Sequence, residues 1–102
     1  GSSYDELLEF SKQAKQVAGY NLDRVQRGLE PADWKPMASI GKGVKEIRIH
    51  VENEYRVIYA AQFADGIYIL HAFIKKTQKT SQKDIELAKK RFKEIAQYKS
   101  EV

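Results

Sequence analysis

Apolar positions recur along this chain with two different periods, and the change between them divides it. Ala14, Ala18, Leu22, Val25 and Leu29 follow a helical spacing with charged residues opposite, and Ser11 just before them is suited to cap that helix. Gly19 interrupts the pattern without resetting its phase, so the spacing predicts one helix over residues 12–28, stopping near Gly28. Ahead of it, Ser3 and Glu6 stand at capping-box spacing and predict a short helix over 4–10. Residues 29–43 hold both prolines and Gly41-Lys42-Gly43 and read as a loop, with Trp34 and Met37 pinning it to the core.

Beyond that loop the period falls to two. Ile47, Ile49 and Val51 alternate with Glu46, Arg48 and His50, which predicts a strand with one apolar and one polar face. A polar turn, Glu52-Asn53-Glu54, leads to a second strand over 55–63, rich in β-branched and aromatic residues. Asp65-Gly66 is a hairpin signal. The third strand, 67–73, is apolar on both faces except at His71 and is expected inside the sheet. Ser81 and Asp84 then cap a last helix, with Ile85, Ala88, Phe92 and Ile95 as its buried stripe, to about residue 98. Helices, a three-stranded antiparallel meander and a closing helix make an α+β fold.

Composition narrows the function. The 102 residues suffice for one domain with a single core, expected to span the chain from 1 to 102. Without cysteine there is no thiol chemistry and no disulfide scaffold, which points to a reducing cytoplasm. No apolar run approaches a membrane span. His50 and His71 lack the neighbours of a metal site, no nucleotide-binding glycine loop or nucleophile elbow occurs, and no cofactor is expected. The net charge of +4 is unevenly spread: Lys75 to Lys93 holds eight basic residues against Asp84 and Glu86. Such clustering suits a polyanion or an acidic partner, and equally a solvated helix face.

The candidate chemistry lies in cations on sheet positions. Arg48 shares a strand face with Glu46 and His50, and Arg56 opens the next strand across a short turn, so the two guanidinium groups are placed to converge. Lys75, Lys76 and Lys79 follow the end of the third strand. Convergent arginines grip phosphate and stabilise charge building on it. Each residue also has a plain reading: Arg48 and Arg56 as ion-pair partners of Glu46 or Glu54, and His71 as a hydrogen-bonded core histidine.

The same residues carry a family resemblance. EIRIH (46–50), YRVIYAAQF (55–63) and IYILHAFIKKTQKTSQKDIELAKKRF (67–92), with GYNLDRVQRGLEPADWKPM (19–37) upstream, resemble the HigB-like branch of the RelE/ParE toxins, including phage-derived relatives. The likeness covers nearly the whole chain, and LHAF-x-KK-x-QKT is its most specific part. It implies two helices packed on a curved antiparallel sheet, then a C-terminal helix. Members of this branch begin with a strand that ends in a Gly-Ser-Ser-like turn. Gly1-Ser2-Ser3 is therefore either native, with that strand expected before residue 1, or the scar of a removed tag.

The resemblance further implies the toxin of a type II toxin–antitoxin pair. Its partner would be an antitoxin with a helix-turn-helix domain, and operator DNA would be reached only through that complex. The activity implied is cleavage of mRNA on the ribosome, by attack of a ribose 2′-hydroxyl on the adjacent phosphate. Carried over by motif, Arg56 and Lys76 stabilise the phosphate and its transition state, and Arg48, Lys75 and Lys79 hold substrate. His71 is the candidate for proton transfer, by residue type. Two departures from the pattern are Glu46, where some RelE-type nucleases have lysine, and the absence of tyrosine between Tyr68 and Tyr98. Two other readings stand beside this one: a ParE-type toxin that inhibits gyrase by binding, and a non-toxic basic RNA-binding module.

Overall fold

A computed structural model describes residues 2–63 and 66–101 and has the expected α+β architecture. Two helices, α1 (Ser2–Leu8) and α2 (Lys12–Gln26), precede four strands: β1 (Trp34–Pro36), β2 (Val44–His50), β3 (Glu54–Phe63) and β4 (Gly66–Ile74). The chain closes with α3 (Gln82–Glu101). The strands form one antiparallel sheet in the order β1-β2-β3-β4. No helix among the described residues is long and apolar enough to cross a membrane.

Strand alternation sends two sets of apolar residues to opposite faces, and helices cover both. Ile47, Ile49, Val57 and Tyr59 pack with Ala14 and Ala18 of α2 and with Phe10, whose ring lies 4.6 Å from that of Tyr55. Val44, Ile58, Ala60 and Leu70 pack with Met37, Ile40 and Ala88, flanked by Ile85, Phe92 and Ile95 of α3. The sheet is thus the middle of three layers. The second face also receives Glu46, Arg48 and Arg56, which sets up the site described below.

Local chemistry explains the helix ends. Ser11 caps α2 by accepting from the Ala14 N–H at 3.2 Å. At the other end Gly28 has φ 82°, its N–H reaches Val25 O, and Leu29 N–H reaches Arg24 O, a Schellman arrangement that only a residue free to enter the left-handed region completes without strain. Buried Asn21 ties the following loop to α2, donating to Val17 O and accepting from Ala32 N–H.

Four expectations need correction. The segment 29–43 is not all loop: Trp34–Pro36 pairs with β2, giving four strands rather than three. Three residues are too few to show a period, and Pro36, which has no N–H, fits an edge strand. Trp34 does not plug the core as Met37 does; it is partly exposed beneath the Lys45 ammonium, 4.4 Å from its ring centroid. Ser3 lies inside α1 rather than capping it, because the helix starts at Ser2 and Glu6 turns away into the protein. β4 is an edge of the described sheet, not an inner strand; its apolarity reflects helices on both faces. Of the Asp65-Gly66 turn, Asp65 lies outside the described residues, and Gly66 opens β4 at φ 130°.

Gly41 fixes how closely the 37–43 turn approaches α3. A Cβ there would fall 2.8 Å from Phe92 Cζ, inside the ring's contact surface. Gly41→Ala is expected to cost about 1–3 kcal/mol through overpacking. A lower urea midpoint at unchanged m-value is the signature to look for.

Candidate functional site

The register of β2 and β3 sets Arg48 directly opposite Arg56, and His50 opposite Glu54. Asp33, just before β1, joins them because its carbonyl accepts from Arg48 N–H at 2.8 Å. The side chains then form a line of alternating charge along one end of the sheet. Arg48 Nη2 lies 3.1 Å from Asp33 Oδ1, and His50 Nε2 lies 2.7 Å from Asp33 Oδ2. His50 Nδ1 lies 2.7 Å from Glu54 Oε1, to which Arg56 Nη2 donates at 3.2 Å. Behind them Arg56 Nε faces Glu46 Oε1 at 3.8 Å, and Glu46 Oε2 accepts from Thr80 Oγ1 at 2.7 Å.

Burial grades this line. Arg56 and Glu46 are 4 % and 1 % exposed, whereas the side chains of His50 and Glu54 are 52 % and 45 % exposed. The inner pair is therefore fixed structure, and the outer pair meets solvent. Hydrogen bonds to Glu54 and then to Asp33 raise the pKa of His50 above its ordinary 6.5, against the opposing effect of desolvation. The His50 bonds in turn hold both carboxyls below their usual range, with the Arg48 and Arg56 charges helping. The sign of the pH effect follows. A raised folded pKa gives His50 a stabilising contribution that is complete below about pH 6.5 and fades as pH rises through the folded value. The two carboxylates act oppositely, losing their contribution as acid titrates them. Denaturation midpoints should therefore fall as pH rises above about 6.5, and His50→Gln should flatten that slope.

Beside the inner pair lies a cleft of about 550 Å³ between β1 and the start of α3, lined by Lys35, Ser39, Lys79, Thr80 and Gln82 among others. Lys35 is the register partner of Glu46, so it shares that face. Both lysines are exposed.

The sequence-predicted residues divide among three places. Arg48 and Arg56 stand opposite one another in the β2–β3 register, each matched to carboxylates, Arg48 to Asp33 and Arg56 to Glu46 and Glu54. Lys75 lies at the same sheet end, its N–H donating to Glu54 O at 2.7 Å, and Lys79 lines the cleft next to Thr80. Lys76 lines a different cleft, of about 350 Å³, with Glu6, Glu9 and Phe10 on the α1 side.

His71 stands in a second polar network, 5 % exposed and stacked on Phe73. Its Nδ1 lies 2.9 Å from Glu6 Oε1 and its Nε2 2.7 Å from Asp84 Oδ1. A register shift makes this geometry. Ile58 pairs with His71 but Tyr59 with Ile69, leaving Leu70 as an extra residue. The Leu70 carbonyl accepts from Arg91 Nη1 at 2.9 Å, and the same nitrogen reaches Glu6 at 2.8 Å. Burial alone would raise the Glu6 pKa, but the bonds from Arg91, His71 and Ala72 N–H outweigh it and hold the carboxyl low.

Sequence reasoning did not find Asp33, Lys35 or Thr80, which only tertiary structure brings to the site. Glu54 was read as part of a turn and as an ion-pair partner for the arginines, and His50 as a member of the polar strand face. Alternation did put Glu46, Arg48 and His50 on one face, the one signal that pointed to a shared site.

A family model described as "Phage derived protein Gp49-like (DUF891)" matches residues 5–93. Neither a curated protein nor a solved structure gives a significant match.

Proposed function

The chain belongs to the Gp49-like family of phage-derived proteins, and on that footing we propose that it is the toxin of a type II toxin–antitoxin pair, a ribosome-dependent endoribonuclease that arrests translation. The family is associated with toxins of the RelE/HigB type, in agreement with the resemblance carried by residues 46–50, 55–63 and 67–92. A toxin of this kind implies a cognate antitoxin, here taken to carry a helix-turn-helix domain. Ribosome and mRNA as targets place its work in the cytoplasm.

One observation carries the nuclease reading: Arg48, His50 and Arg56 meet at the ends of neighbouring strands, beside a cleft with two exposed lysines. Attack of a ribose 2′-hydroxyl on the adjacent phosphate, its proton passing to solvent water as the O2′–P bond forms and the P–O5′ bond breaks, builds negative charge on the phosphoryl oxygens and on the departing 5′-oxygen. In this reading Arg48 orients the phosphate, and Arg56 stabilises its growing charge from a site of low dielectric. His50, which holds its proton to higher pH than a free imidazole, donates to the leaving oxygen. Lys75 and Lys79 hold flanking phosphates. Carboxylates hold both ring nitrogens of His50 and of His71 alike, but His71 is buried and serves the fold whereas His50 meets solvent; Lys76 lies on the α1 side, apart from the reacting phosphate.

The matching of all three bases to carboxylates favours a second reading, a toxin that inhibits gyrase by binding alone. Primer extension on a translated message, with and without ribosomes, separates the two. The nuclease gives cuts that require ribosomes. Growth arrest with DNA damage and an intact message would reject it in favour of gyrase.

A further inference from the structure

The carboxylate of Glu54 has an unusual pair of partners. Both of its oxygens lie within 2.9 Å of His50 Nδ1, and Oε1 also accepts from Arg56 Nη2 at 3.2 Å. An imidazolium and a guanidinium gripping one small oxyanion are the donors that hold a phosphate group. The two acids beside Arg56 differ in kind. Glu46 is sealed in the protein and bound by Thr80, a permanent counter-ion. Glu54 is the first residue of β3, its side chain 45 % exposed, so it can turn into solvent without disturbing the core. Its backbone stays anchored through the bond from Lys75 N–H to its carbonyl.

The geometry points to Glu54 as a built-in occupant of a phosphate site formed by His50 and Arg56, an internal carboxylate that a phosphate must displace. This rests on the reading that this sheet end handles RNA phosphate, and adds to it a gate. With Glu54 in place the site is closed to free anions; a phosphodiester held nearby by Arg48 and the flanking lysines competes for the same two donors at high local concentration. The charge count agrees. With the Glu54 carboxylate turned away, Arg48, His50 and Arg56 face only Asp33 and Glu46, which leaves one positive charge for the incoming anion.

The test uses the purified chain, without ribosomes, and follows backbone amide and imidazole resonances by NMR. The probes are inorganic phosphate and a 2′-deoxy trinucleotide that cannot be cleaved. Glu54→Gln, nearly isosteric but neutral, is expected to tighten binding of at least one probe by about tenfold, the weight of one charge-assisted hydrogen bond. Shifts should centre on residues 48–56. A larger gain for the trinucleotide identifies a phosphodiester within a chain as the ligand, and a gain for inorganic phosphate alone identifies the free anion. His50→Gln added to Glu54→Gln should abolish the gain. Unchanged affinity for both probes in a folded Glu54→Gln protein, or a gain that survives loss of His50, would overturn the proposal. Either outcome leaves mRNA cleavage by the wild-type protein to be judged separately, and an uncut message would reject the nuclease while leaving the anion site intact.

Discussion

Arg56→Ala should lower the stability of the domain by about 3–5 kcal/mol, as well as removing toxicity. Glu46 is 1 % exposed and keeps only the bond from Thr80 when the guanidinium goes. An ionised carboxylate stranded in the interior is among the costliest defects a small domain can carry. Loss of toxicity in that variant is therefore ambiguous by itself. Arg56→Met combined with Glu46→Leu removes both charges and fills the space with apolar atoms, a change that is often neutral for a buried pair. The double variant should recover most of the stability in urea denaturation and remain non-toxic. If it is stable and still arrests growth, Arg56 has no part in the activity. If Arg56→Ala alone is as stable as wild type, the account of the Glu46–Arg56 pair fails.

Glu6→Ala should cost about 2–3 kcal/mol, the second largest effect expected, and its damage should be local. Helix α1 contributes no fully buried residue, so little apolar packing of its own holds it to the sheet. Glu6 supplies the grip instead, accepting from Arg91, His71 and the Ala72 N–H. Its removal leaves three donors short of a partner around β4. Hydrogen exchange should accelerate in α1 and along residues 70–72, while β2 and the centre of β3 stay protected. Uniform acceleration across the sheet would mean that the Glu6 network supports the whole fold rather than the seating of one helix. Glu6→Gln, which retains an acceptor oxygen, should fall between the two.

The sequence was most legible where one signal acted alone. The α2 stripe from Ala14 to Val25, the Ser11 cap, the stop near Gly28 and the order of the long strands each follow from a local rule, and the structure has them; Leu29, expected to extend the stripe, lies past the helix end and is exposed. It misled where a residue's partner lay far along the chain. Ser3 and Glu6 have the spacing of a capping box, but Glu6 is drawn to His71 and Arg91, whose positions no local rule anticipates. The apolar run of β4 reads as an inner strand because helices over both faces leave the same pattern as strands on both sides. At the candidate site, alternation foretold the Arg48–Arg56 meeting. The plain reading of both arginines as ion-pair partners of Glu46 or Glu54 holds for Arg56; it missed Asp33 as the partner of Arg48, because Asp33 precedes a strand too short to detect, and Thr80, which comes from beyond β4.

The two polar networks share one further property: they terminate on adjacent residues. Thr80 completes the line that begins at Arg48, and Ser81, which donates to Asp84 at 2.6 Å, completes the one through His71. Both therefore wait on the segment that starts α3. A chain still being synthesised, with β1 to β4 formed but residues from Thr80 onward not yet emerged, would hold Glu46 without its donor, His71 without Asp84, and Met37, Ile58 and Leu70 uncovered. The donor for Glu46, the second carboxylate of His71 and the cover over the second sheet face thus all depend on the seating of one helix, whereas the ion pairs from Asp33 to Arg56 need nothing beyond β3.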